Sequence, residues 1–236
     1  MLVAAAVCPC PPLLVPEVAA GAAPELDAAR AACLDAVGVL AAARPGLLVV
    51  VGPADAGARG THPEGATGSF AGFGVDLRVR LGTSVTEAGR ELPPSLSVAA
   101  WLLGRAEWAD APVEGLGVGE PLEPEHCLAA GRELSARADR VALLVMGDGS
   151  ACRTLKAPGY LDERAAAFDA AAARALGTAD LVALKALDAP LAYELKAAGR
   201  APWQVLAGAA EGTEPGGRLL YDDAPYGVGY LVATWS

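Results

Sequence analysis

The chain of 236 residues is 53% apolar and 19% charged, which suits one large folded domain with a substantial core and excludes a disordered polymer. Its formal net charge of −10 leaves no Lys/Arg surplus to neutralise phosphates, so no nucleic-acid partner is expected. No apolar run reaches the roughly 18–20 residues of a membrane span, so no membrane partner is expected. Residues 1–7 lack a positive n-region and run into prolines, so the expected location is cytoplasmic. The cysteines Cys8, Cys10, Cys33, Cys127 and Cys152 show no framework spacing and should stay reduced in a cytosol.

Residues 2–8 form a short apolar run that stops at Cys8-Pro-Cys10-Pro-Pro, the pattern of a buried strand closed by a stiff turn. Residues 24–44 place Leu26, Ala29, Cys33, Val37 and Leu40 at helical spacing, and Pro45-Gly46 ends that helix. A second buried strand spans 47–51 and leads into Gly52-Pro53-Ala54-Asp55. Strand, helix and strand in about 50 residues make a βαβ unit with parallel strands. Cys10 and Asp55, in loops leaving the same ends of two such strands, are therefore candidates to face one cleft. Residues 57–74 are Gly-rich and irregular, carry His62, and read as a functional loop.

Alternation predicts a half-buried strand at 75–81. A helix over 92–103 follows prolines, with Ser95 or Ser97 as its cap. A weak strand covers 112–118 and a helix 124–138, with His126 in its first turn as a structural or surface residue. The run 140–146 is a strand ending in Gly147-Asp148-Gly149-Ser150, whose small residues let a ligand approach the backbone. A helix over 161–176, a strand or helical piece at 180–184, and helices at 189–198 and 202–210 come next. The tail, 218–221 and 226–235, reads as an antiparallel hairpin on the sheet edge. The expected fold is a single α/β domain over 1–236, a three-layer α/β/α arrangement with a mostly parallel central sheet.

Four anchors carry a family resemblance over nearly the whole chain. They are Cys-Pro-Cys10-Pro-Pro-Leu-Leu, Val-Val-Gly-Pro53, Met-Gly-Asp148-Gly-Ser150 and Ala198-Gly-Arg-Ala-Pro-Trp-Gln-Val-Leu206. In order and spacing they resemble the class III extradiol ring-cleavage dioxygenases and their Memo-like relatives. The resemblance implies an oxidoreductase that holds non-haem Fe(II) with two His and a carboxylate at the strand mouths and opens catechol-type aromatics. The first family His falls on Cys10, the second on Asp55, the catalytic His on Ala151, and the late ligand near Ala198, with Glu194 one helical turn earlier. Ala151 and Ala198 can neither bind metal nor move protons, so the resemblance implies weak or no ring cleavage.

Several readings stay open for the candidate site residues. Cys10, Asp55 and His62 are the metal candidates, and a thiolate, a carboxylate and an imidazole suit Zn(II) better than Fe(II). A metal-free protein is the third cofactor reading. Cys10 reads equally as a packed small hydrophobe, Asp55 as a turn residue and His62 as an exposed loop histidine. Asp148 and Ser150 are the candidate catalytic groups, or else part of a tight turn. The partner is a small aromatic or carboxylate ligand, with a homodimer through the apolar tail hairpin. A non-catalytic binding or assembly protein that kept the fold is the alternative function.

Overall fold

The computed structural model describes residues 1–84 and 89–236. The elements run β1 (Leu2–Cys8), α1 (Pro16–Ala19), α2 (Asp27–Ala42), β2 (Leu47–Pro53), β3 (Gly60–His62), β4 (Thr67–Ser69) and β5 (Arg78–Arg80). They continue with α3 (Pro94–Arg105), β6 (Val113–Val118), α4 (Pro124–Ser135), β7 (Val141–Met146) and α5 (Ala165–Thr178). The chain closes with α6 (Leu181–Lys185), α7 (Ala189–Glu194), α8 (Arg200–Ala209), β8 (Gly217–Asp223) and β9 (Tyr230–Trp235). The main sheet has the order β3-β6-β2-β7-β1-β9-β8. Its centre, β6-β2-β7-β1, is parallel; β3, β9 and β8 join antiparallel.

The period of two in each central strand divides the core between two layers. Ala5 and Val7 of β1, Val49 and Val51 of β2, and Leu143 and Val145 of β7 face α4, α5 and α8. Ala4, Ala6 and Cys8, Leu48 and Val50, and Ala142, Leu144 and Met146 face α2 and α3. Both faces are covered, which is why these strands read as continuous apolar runs rather than alternating ones. Burying each Val or Leu is worth about 1.5–3 kcal/mol. The expected three-layer architecture with a C-terminal antiparallel hairpin is the one found.

Several local expectations change. The predicted helix over 24–44 begins at Asp27, because Pro24 sits in a 3-10 stretch, Ala20–Leu26. The Gly-rich stretch 57–74 is not all loop: it holds β3 and β4. The strand predicted over 75–81 is only β5, paired with β4 in a separate two-stranded sheet. Ser95 and Ser97 do not cap α3, whose N-cap is Pro93. The Ser97 hydroxyl donates back to the Pro93 carbonyl at 3.1 Å, and Ser95 Oγ donates to the Pro53 carbonyl at 2.6 Å. Residues 161–164 precede α5, and the ambiguous 180–184 segment is helical, with the Asp180 carboxylate accepting from the Ala183 N–H. No helix among the described residues is long and apolar enough to cross a membrane.

Candidate functional site

The register sets the site. Cys8 pairs with Met146, Val51 with Val145, and Pro53 with Val118, so the four parallel strands end on one side of the sheet. Two residues beyond the ends of β1, β2, β6 and β7 stand Cys10, Asp55, Glu120 and Asp148. A cleft of about 380 Å³ opens there, lined by residues that include Cys10, Pro53, Asp55, Ser95, Glu120 and Ala198. Cys10 and Asp55 thus meet in one hollow, as their strand-end positions predict. Ala198 also lines it.

Two sequence anchors turn out to be one contact. A Cβ on Gly147 would stand 2.5 Å from the Gly199 Cα, so only glycine lets the β7 exit loop approach the start of α8. The Gly199 N–H donates to the Asp148 carbonyl at 2.7 Å. The Asp148 carboxylate in turn accepts the Cys10 N–H at 2.8 Å, tying the β1 and β7 loops together. Burial pushes the Asp148 carboxyl up to about 7, against the lowering effect of that N–H. Burial, then the nearby Asp148 and Cys8, also hold the Cys10 thiol well above its ordinary range. Cys10 is buried at 7% exposure and packs with the α2–α3 layer, so it is both a core residue and part of the cleft wall.

Ser150 faces elsewhere. Its N–H and its hydroxyl both donate to Asp169 of α5, at 2.7 Å each, and Arg153 pairs with the same carboxylate at 3.0 Å. Asp169 is 1% exposed, and Gly149 and Gly229 leave room for it. This satisfied network anchors the β7 exit loop to α5, and Ser150 does not line the cleft. Ala151 does not line it either; its N–H donates to the Leu195 carbonyl. His62 is fully buried on β3, not exposed on a loop, and its Nε2 lies 2.8 Å from the Ala58 carbonyl. It is absent from the cleft wall, and His126 is exposed on α4.

The residue that sequence reasoning missed is Glu120. Its carboxyl lies 3.3 Å from Nε of Arg200, whose side chain is 2% exposed. Arg200 also donates to the carbonyls of Leu122 (2.6 Å) and Glu120, and to Gln204 Oε1 at 3.1 Å, clamping the β6 exit loop onto α8. Burial pushes Glu120 up to about 7, although Arg200 pulls it down. The available sign was positional: Glu120 follows its strand by the same two residues as Cys10, Asp55 and Asp148.

An iron centre of the kind the resemblance implies does not fit these donors. Two imidazoles are required, yet the chain has only His62 and His126, neither of which lines the cleft. No group of three or more His, Cys, Asp or Glu among the described residues is arranged to hold a metal ion.

Fold and cleft together define an α/β protein whose parallel strands open onto one shared hollow, the general location of ligand sites in such sheets. The crystal structure of the uncharacterized protein JW3007 from Escherichia coli K12 has this fold, with a TM-score of 0.53 and 14% identity over 99% of this chain and 100% of that one. No family model matches the chain, and no curated protein matches it.

Proposed function

We propose that this chain is a small-molecule-binding protein built on the class III extradiol dioxygenase plan, which keeps the cleft at the strand mouths without ring-cleavage chemistry. One observation carries the reading. The cleft wall joins Cys10, Asp55 and Ala198, which the sequence resemblance sets at or near three metal-ligand positions of that family. A thiol, a carboxylate and a methyl replace the ligands, while the hollow itself persists. Pro53, Pro94 and Pro121 give it stiff apolar wall that suits a flat aromatic ring, beside the charged Asp55, Arg59 and Glu120.

Titration of the labelled protein with catechol, followed by amide NMR, tests the reading. The resonances of Cys10, Asp55 and Glu120 should move together and saturate. With Fe(II) under reducing conditions, no coloured ring-opened product should form. Turnover lost in Asp55→Ala, or stoichiometric iron or zinc lost in Cys10→Ala, would overturn it.

A further inference from the structure

Ion pairing around the strand mouths leaves three charges over. The cleft holds Asp55, Arg59 and Glu120 beside Cys10, and a second cavity holds Glu120, Glu194 and Lys196; Ala198 walls both. Glu120 is spent on Arg200 at 3.3 Å and Glu194 on Arg164 at 2.8 Å. The Asp55 carboxylate, the two terminal nitrogens of Arg59 and the Lys196 ammonium make no hydrogen bond or ion pair among the described residues. All three residues are exposed, so a ligand in the cavities can reach them.

Arg59 is held in place although its fork is unspent. Arg90 donates to the Gly57 carbonyl at 3.3 Å and to the Arg59 carbonyl, fixing the loop that carries the side chain. Arg59 Nε donates to the Ala54 carbonyl at 3.4 Å. A Cβ on Gly119 would stand 2.5 Å from Arg59 Cζ, so the guanidinium lies over the glycine that precedes Glu120. Such a planar fork matches a carboxylate through two parallel hydrogen bonds. Lys196 has φ 56°, a left-handed conformation that residues with side chains seldom adopt, and its stem lies against Gly159.

The signs select the ligand. A simple anion would answer Arg59 and Lys196 but leave Asp55 opposing it. A simple cation would meet two unpaired cations. One ammonium and two carboxylates, the set carried by an acidic α-amino acid, complement all three groups and neutralise their sum.

We propose that the cleft binds an aliphatic acidic amino acid, with its ammonium at Asp55, its α-carboxylate on Arg59 and its side-chain carboxylate past Ala198 on Lys196. This rests on the cleft being a small-molecule site, as proposed above, and makes charge rather than a ring the feature it reads.

The test is an amide NMR titration of the intact chain with glutamate, glutamine and N-acetylglutamate, at low salt, where exposed charges act most strongly. Glutamate should bind about fivefold more tightly than either analogue, the upper scale of one exposed ion pair. Asp55→Asn should make glutamate and N-acetylglutamate equal, and Lys196→Gln should make glutamate and glutamine equal. Arg59→Gln should weaken all three by the same factor, because each carries the α-carboxylate. Gly119→Ala displaces only the end of a flexible side chain, and should do the same with the fold intact. Equal binding of the three probes to the wild type, or glutamate binding that survives Arg59→Gln, would overturn the proposal and leave the cleft as a ligand site. Catechol shifts at Cys10 and Asp55 without any glutamate shift would do the same. Failure of glutamate and catechol alike would overturn both proposals.

Discussion

Asp148 holds two strand mouths together with one carboxylate, and that arrangement has a cost. The group accepts the Cys10 N–H, yet burial raises its pKa to about 7 from an ordinary value of 3.8. A raised folded-state value means stability that is fully present below the ordinary pKa and is lost as pH rises through 7. Glu120 acts with the same sign, from 4.5 to about 7. The urea midpoint should therefore fall between pH 5 and pH 8. Asp148→Asn keeps an acceptor for Cys10 and removes the charge, so it should raise the midpoint at pH 8 and reduce the fall without abolishing it. A tenfold change in an ionisation constant is worth about 1.4 kcal/mol, which sets the scale of the gain. An unchanged pH profile in Asp148→Asn would count against a strained carboxyl at this position. The strand-end placement of Cys10, Asp55 and Asp148 was legible in the sequence because each follows a recognisable strand and a breaker, although Asp148, like Ser150, does not line the cleft. Glu120 was not, because its importance comes from Arg200, a partner far along the chain. Ser150 misled for the same reason, since nothing local announces that Asp169 occupies its hydroxyl.

The elements meet at a few close approaches that side chains would block. Helices α4 and α8 cross so tightly that a Cβ on Gly208 would lie 2.3 Å from the Leu128 carbonyl oxygen. Gly208→Ala should destabilise the protein by about 1–3 kcal/mol, measured by chemical denaturation, because backbone rather than a flexible side chain must yield. A neutral result would mean that the helix pair slides freely. The same crossing supports the site, since Arg200 at the start of α8 clamps the loop that carries Glu120. Helix existence was legible from three-and-four spacing, and helix ends less so. The start of α2 moved because a 3-10 stretch containing Pro24 displaced the first turn. β4 escaped notice, and β5 proved shorter than the strand expected over 75–81, because three-residue strands carry almost no periodicity.

At the scale of the whole molecule, the sheet is most protected where it is parallel and covered on both faces. Amides of β1, β2 and β7, whose core residues are almost entirely buried, should exchange by global unfolding. Those of β3 and β8, at the two edges of the sheet order, should exchange through local opening. Hydrogen-exchange mass spectrometry would show this as a gradient outward from β7, and a flat profile would contradict the layered core. The two edges differ in composition. β8 carries Arg218, Asp222 and Asp223, charges that discourage pairing with another chain.

The sequence by itself determined the layered α/β plan, the parallel centre, the terminal hairpin and the side of the sheet on which the exit loops of the central strands gather. Those follow from interactions within a few residues: the period of a strand or helix, and the turn that ends it. Only the tertiary structure decided which loops touch. Gly147 against Gly199, Glu120 against Arg200 and Ser150 against Asp169 are contacts between distant segments, set by how helices pack on the sheet. That packing keeps His62 out of the cleft wall and brings Glu120 into it.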